Sequence, residues 1–337
     1  MRRRTLLLAA AGLAACRPAM RTTAATTPPL DAALLDREIA EVAEAAQPGQ
    51  LEIAVQNLEG GEMWAWNGEK AFPMQSVFKA PLAAAVLAEA DARRLSLAEI
   101  VEIREQDLSP PFSPLADAWP GRSAYTLGEL LTLAAGDSDN TAADVLMSRI
   151  GGPGAVTAWL RARGVQGVRV DRYEREIQTE MWGMASFRLA WKGWPDFKAA
   201  RDSVPEAARR AATARYLADP RDTMTGPGGL NFLRKLVMGD LLSPRRTALL
   251  LKILTETPRG AARLRAGLPP GARLAHKTGT SGTDLGLTAA TNDIGVATLP
   301  DGRRYAVVAM LAASPADEAA RETTLADAMR VIVEAAG

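Results

Sequence analysis

Residues 72–92 read FPMQSVFKAPLAAAVLAEADA. This stretch separates two kinds of sequence. Before it, residues 51–58 and 62–66 are strand-like runs joined by Glu59-Gly60-Gly61, the pattern of a β-hairpin. Within it, the Ala/Leu run 80–92 is a strong helix former. From about residue 77 to 258 the sequence is Ala- and Leu-rich, broken by Gly and Pro, and reads as mainly helical. Strands return after Leu274. Residues 285–298 and 304–312 are apolar, with Pro300-Asp301-Gly302 as the turn between them. Two helices bound the whole. Residues 31–46 carry Leu35, Ile39 and Val42 at helical spacing. A last helix is expected with Ser314 as N-cap, Pro315 at N1 and Asp317 as capping-box partner, ending near Ala336. Strands at both ends and helices between them predict an α+β/α chain. Its five-stranded antiparallel sheet would be flanked by the N- and C-terminal helices. An all-helical domain would face it, with the active site between. The expected units are 31–75 with 259–337 as the α/β domain and 76–258 as the helical domain.

The totals agree with a folded, water-facing protein. The chain has 337 residues, 47% hydrophobic and 23% charged, so about two domains' worth of core is expected. A net charge of +1 gives no reason to invoke nucleic acid. The single histidine, His276, and the single cysteine, Cys16, argue against a zinc site, and no cofactor is expected. Only seven of the 40 basic residues are lysines, so each lysine is informative. Arg2, Arg3 and Arg4 precede a short apolar run, Thr5 to Ala15, too short to span a bilayer. Leu13-Ala14-Ala15-Cys16 looks like a bacterial lipobox, so 1–16 reads as a signal peptide with Cys16 as the lipidated residue. The plainer alternative is ordinary signal cleavage. Residues 17–30 read as a tether. A periplasmic, membrane-anchored, monomeric lipoprotein is the expectation.

Three short motifs carry chemistry. Ser76-Val77-Phe78-Lys79 opens the Ala/Leu helix, which puts Lys79 one turn from Ser76 on the same face. A helix N-terminus suits a nucleophile, because its dipole and free N–H groups favour a developing anion. Taken alone, Ser-x-x-Lys is expected about once by chance in such a chain. The plain reading is then a capping serine and a surface lysine. Ser138-Asp139-Asn140 is rarer, and each of its residues also caps helices well. Lys277-Thr278-Gly279-Thr280-Ser281 falls on a predicted strand beside the C-terminal sheet.

In this order the three motifs resemble the signature shared by class A β-lactamases and penicillin-binding proteins. The resemblance spans about residues 31 to 336. It implies hydrolysis of a small-molecule β-lactam through an acyl-enzyme on Ser76, assisted by Lys79. It implies an oxyanion hole of the Ser76 and Thr280 backbone N–H groups. It makes Ser138 the relay to the lactam nitrogen, with Lys277 nearby, and Asn140 the holder of the substrate's side-chain amide. The family's deacylating glutamate stands 36 residues after the second motif's serine, which here is Glu174. Glu176 and Glu180 are the runners-up. Arg172 and Asp222 look like the ion pair that closes the family's Ω-loop, here about 171–222. Phe112 matches the aromatic gatekeeper of the cleft mouth. Lys277, Thr278, Thr280 and Ser281 would meet the substrate carboxylate. So would Arg263, 14 residues before Lys277. His276 is expected to be structural, and Asp139 to fix local backbone.

The chain departs from the family at two places. Four residues after the base the family commonly has Asn, and here Gln178 carries the amide on a longer arm. The stretch between Arg172 and Asp222 is also much longer than usual. It includes Trp182, Trp191 and Trp194. It reads either as a surface decoration with a small core of its own or as a remodelled cleft rim, and the first is preferred. Gln75-Ser76-Val77 and the 276–282 run resemble the extended-spectrum cephalosporinase subgroup, which implies cephalosporin hydrolysis. The alternatives are a penicillin-binding DD-peptidase, which lacks a deacylating glutamate, and a non-catalytic β-lactam-binding relative.

Overall fold

The computed structural model describes residues 28–337. The expected signal peptide, with Cys16, and most of the tether lie outside the described residues. Five long strands form one antiparallel sheet: β1 (Gln50–Asn57), β2 (Met63–Trp66), β3 (Arg273–Thr280), β4 (Leu287–Thr298) and β5 (Arg304–Ser314). Their order is β2-β1-β5-β4-β3, and the two-residue strand Thr283–Asp284 adds to the end of β4. N-terminal and C-terminal strands thus pair at the middle of the sheet, with Ala54 opposite Val308.

Alternation along the strands sorts the residues to two faces. Leu51, Ile53 and Val55 of β1 join Tyr305, Val307 and Ala309 of β5 on one face. They pack on Leu35 and Ile39 of the first helix, Ala32–Ala45, and on Leu325, Met329 and Ile332 of the last, Glu318–Ala336. Ala54, Ala306, Val308 and Met310 point the other way, into the larger core of the helical half. There the helix Gly226–Met238 lies against β5. Gly229 permits that approach, since a side chain on it would collide with Val308 and Met224. The helical half also holds two short strand pairs, Phe72–Pro73 with Thr223–Met224 and Ile100–Glu102 with Ala124–Thr126.

The last helix starts later than its sequence suggests. Ser314 stays in β5, paired with Thr288. Asp317 is the N-cap, accepting from the Ala320 N–H at 2.8 Å. Ser and Asp are comparable caps, and the β-ladder decides between them.

The helical face of the sheet holds a buried carboxyl. Glu52 of β1 is fully buried, accepts from the backbone N–H of Gly226, and leaves Oε2 unpartnered. Burial pushes its carboxyl up to about 9, against the bond from Gly226, which lowers it. The native state therefore holds a proton that the unfolded chain has released. Stability from this site is complete below the ordinary carboxylate value and is lost as pH climbs toward 9. Glu52→Gln is expected to be more stable than the parent at pH 8 by about 1–3 kcal/mol. The gap should close near pH 5. Denaturant midpoints at the two pH values check this, and an equal gap at both contradicts it.

Candidate active site

Ser76 lies in a single 3-10 turn, Gln75–Phe78, that runs straight into the helix Lys79–Asp91. The turn holds Lys79 under it. The Lys79 ammonium donates to Ser76 Oγ at 2.9 Å, to the Ser138 carbonyl at 2.8 Å and to Asn140 Oδ1 at 2.6 Å. It also pairs with Glu174 Oε1 at 2.9 Å, both side chains being wholly buried. Ser76 Oγ itself donates to Glu174 Oε1 at 3.2 Å. Residues 76, 79, 138, 140 and 174, scattered along the chain, therefore meet at one ammonium group.

The supports of this cluster are visible. A π-helical turn, Leu133–Asp137, ends at Ser138, which takes a left-handed conformation with φ +71°. Only a few percent of non-glycine residues do so. Asp139 then caps the helix Asn140–Arg149 by accepting from Ala142 N–H at 2.8 Å, and accepts from Leu115 N–H at 2.7 Å. It fixes backbone, as expected. Glu174 begins the helix Glu174–Glu180, and its N–H is anchored on Asp144 at 2.7 Å. Arg172 Nε meets Asp222 at 2.6 Å in a buried pair, and the other Asp222 oxygen accepts from the Asp171 and Arg172 N–H groups. Glu176 caps its own helix at Tyr173, and Glu180 is held by Arg172 and Arg221. The two runners-up are thus committed elsewhere.

Gln178 uses its longer arm on the Glu174 carboxylate. It donates to Glu174 Oε2 at 2.9 Å and to Gln75 Oε1 at 3.1 Å, and Gln75 donates to the Tyr216 hydroxyl at 2.5 Å. Glu174 is thereby gripped at both oxygens, by Gln178 on one and by Lys79 and Ser76 on the other. Gln75 was noted only within Gln75-Ser76-Val77 and without this role, and Tyr216, which carries no motif, was missed. So was Asp144, whose role depends on a contact 30 residues distant.

The facing wall is β3. A side chain at Gly279 would strike the Met74 carbonyl, so glycine lets the strand close on the Ser76 turn. Lys277 is buried and donates to Ser138 Oγ and to the Thr278 carbonyl, each at 2.9 Å. Burial, with the Lys79 charge nearby, pushes its ammonium well below the usual lysine value. An arriving carboxylate acts the opposite way. The buried Ser281 hydroxyl accepts from Ala290 N–H at 3.0 Å and lines the cleft. Arg263 is buried and donates to Thr280 Oγ1 at 2.7 Å, reaching the cleft through that residue. His276 pairs with Asp293 at 2.8 Å behind the strand, a structural place.

A cleft of about 320 Å³ runs between these walls. Phe112 stands exposed at its mouth, its carbonyl accepting from Asn140 N–H at 2.9 Å. The long insert forms its far rim. Trp182, Trp194 and Phe197 line the cleft with Lys198 and Arg201. The preferred reading of a separate surface decoration is therefore corrected. Trp182, Phe197 and Tyr216 join the main helical core. Arg201 and Arg209 pair with Asp284 at the sheet edge, clamping the insert over the cleft.

The beta-lactamase enzyme family matches residues 34–336. Beta-lactamase VEB-1 of Pseudomonas aeruginosa is 29% identical over 287 residues, 85% of each chain. The extended-spectrum beta-lactamase PER-1 of the same organism is 31% identical over 262 residues, 77% of this chain and 74% of that one. Among solved structures, a beta-lactamase from Chitinophaga pinensis has a TM-score of 0.74 at 33% identity, covering 90% of this chain and 99% of the other. An ancestral class A beta-lactamase, GNCA, has a TM-score of 0.72 at 35% identity, covering 89% and 99%. Fold, motif order and relatives agree, and the chain belongs to the beta-lactamase enzyme family as a class A β-lactam hydrolase.

Proposed function

We propose that the chain hydrolyses β-lactams, cephalosporins among them, through an ester on Ser76. One observation carries the reading: the 3.2 Å contact from Ser76 Oγ to Glu174 Oε1, with Lys79 on the same oxygen at 2.9 Å. Ser76 Oγ attacks the lactam carbonyl and gives its proton to the Lys79–Glu174 pair. The oxyanion is met by the Ser76 and Thr280 backbone N–H groups. The C–N bond breaks, and the nitrogen takes a proton through Ser138, beside Lys277. Glu174 then draws a proton from a water, which attacks the ester carbonyl. Ser76 leaves as the free hydroxyl. Gln178 orients Glu174 by its second oxygen, and Asn140 meets the substrate's side-chain amide. Lys277, Thr278, Thr280 and Ser281 receive the ring carboxylate, with Arg263 behind Thr280.

Two observations favour cephalosporins as substrates. PER-1 bears the extended-spectrum description. The rim of Trp182, Trp194 and Phe197 also gives a large acyl substituent an aromatic wall. A steady-state panel of β-lactams on the mature protein tests this reading. Turnover of both penicillins and cephalosporins is expected. Turnover of penicillins with no cephalosporin hydrolysed overturns the spectrum.

The basic start and the lipobox support export with lipid on Cys16. The enzyme should then fractionate with membranes, and Cys16→Ala should release it. Equal fractionation of the two forms contradicts lipidation.

A further inference from the structure

The carboxylate end of the cleft has two arginines in opposite situations. Arg263 is satisfied. It donates to Glu322 at 3.0 Å, to the Asn292 carbonyl at 2.9 Å and to Thr280 Oγ1 at 2.7 Å. Its charge is balanced by Glu322. Three of its five N–H donors are thereby engaged within the protein.

Arg259 is the reverse. It is half-buried and lines the cleft with Phe112, Ser138 and Thr278. Its guanidinium lies 4.2 Å from the centroid of the Phe112 ring. Among the described residues it forms no ion pair, and its buried Nε has no hydrogen-bond partner. Its backbone is fixed, for the Arg259 N–H donates to Thr257 Oγ1 at 3.2 Å. The next residue, Gly260, takes φ +68° and packs directly against Thr278, leaving no room for a side chain. Arg259 is thus a planar cation held on an aromatic platform at the strand that carries Lys277 and Thr278. A buried donor without a partner is costly. A guanidinium stacked on a ring keeps its edge free for a two-point contact with a carboxylate.

We infer that Arg259, supported by Phe112, is a specificity-determining residue that meets the ring carboxylate of the β-lactam. Arg263 is a positioning residue, acting from behind through Thr280. The inference rests on the reading of Ser76 as the acylated residue of a β-lactam hydrolase. Thr278, Thr280 and Ser281 offer hydroxyls that a neutral ester accepts nearly as well as an anion. Lys277 gives the site a cation at the base of the cleft, and Arg259 adds a second at its wall that strengthens the preference for the charge.

The test compares kcat/KM for benzylpenicillin and for its methyl ester, in the parent and in Arg259→Ala, Arg259→Gln and Arg259→Lys. The acid-over-ester ratio is internal to each variant, so losses of folded protein cancel. The ratio should fall about 10- to 100-fold in Arg259→Ala and Arg259→Gln, chiefly through the KM of the acid. Arg259→Lys should recover part of it. The parent's KM for the acid should rise with salt more steeply than that of Arg259→Ala. If acid and ester fall together, or neither changes, Arg259 is only structural and the inference is overturned. A parent enzyme that turns over neither compound and forms no adduct at Ser76 overturns the underlying reading, and this inference with it.

Discussion

Glu174→Gln is expected to acylate and then stall. Glutamine keeps the size and polarity of the side chain and its reach toward Gln178 and Lys79, but it cannot take a proton from water. The parent holds Glu174 Oε1 within 3.2 Å of Ser76 Oγ and Oε2 within 2.9 Å of Gln178. Loss of a positioned general base typically costs about 10²- to 10⁴-fold. The neighbouring glutamates cannot take its place, because Glu176 and Glu180 are engaged at Tyr173 and at Arg172. A chromogenic cephalosporin mixed with the variant should give a burst near one equivalent, then slow turnover. Glu174→Ala should behave likewise. Deacylation at the parent rate in both variants removes Glu174 from the role. This experiment also separates hydrolase from peptidase, since a lasting acyl-enzyme in the parent itself would fit a DD-peptidase.

Arg172→Leu should cost more stability than any other single change considered. The Arg172–Asp222 pair is buried on both sides, at 4% and 1% side-chain exposure, with 2.6 Å between Nε and Oδ2. Burial pushes the Asp222 carboxyl up, although the Asp171 and Arg172 bonds pull it down. Removing the guanidinium leaves a buried carboxylate with only backbone donors. Breaking a buried pair in this way costs about 3–5 kcal/mol. The site is affected as well, because residues 171 and 172 hang from Asp222 and lead directly into Glu174. Stability and hydrolysis should therefore fall together. Arg172→Lys should restore part of each, since an ammonium cannot span Asp222, Glu180 and Asp219 as the guanidinium does. Denaturant midpoints beside kcat/KM check the prediction. A variant as stable as the parent contradicts it.

The parts legible in the sequence were those encoded locally. The runs 51–58 and 304–312, bounded by Glu59-Gly60-Gly61 and Pro300-Asp301-Gly302, marked the strands, since each is buried on both faces. The three motifs marked the site because each sits on a local turn or strand that the fold brings to the same hollow. Glu174 was legible only through the family's spacing, for nothing in DRYEREIQ singles it out. The rest depended on contacts at long range. Ser314 and Asp317 compete as caps, and the pairing of Ser314 with Thr288 settles the matter. The insert's tryptophans read as a core of their own because no local pattern says which surface they cover. In the fold Trp182 and Trp194 line the cleft and Trp191 packs on the main helical core, the insert being fastened by Arg201 and Arg209 to Asp284. Gln75 and Tyr216, separated by 141 positions, support Gln178 through a chain of amides that no spacing rule contains. Arg259 carries no signal in the sequence, and only the fold sets it over the Phe112 ring.

The central claim is that an acyl group passes through Ser76 and waits there for Glu174. Peptide mapping of Glu174→Gln, quenched after brief exposure to benzylpenicillin, tests it most directly. The account predicts a mass gain of one intact penicillin, confined to the peptide that carries Ser76 and absent when Ser76 is also replaced by alanine. An unmodified protein, or an adduct on any other residue, would contradict it.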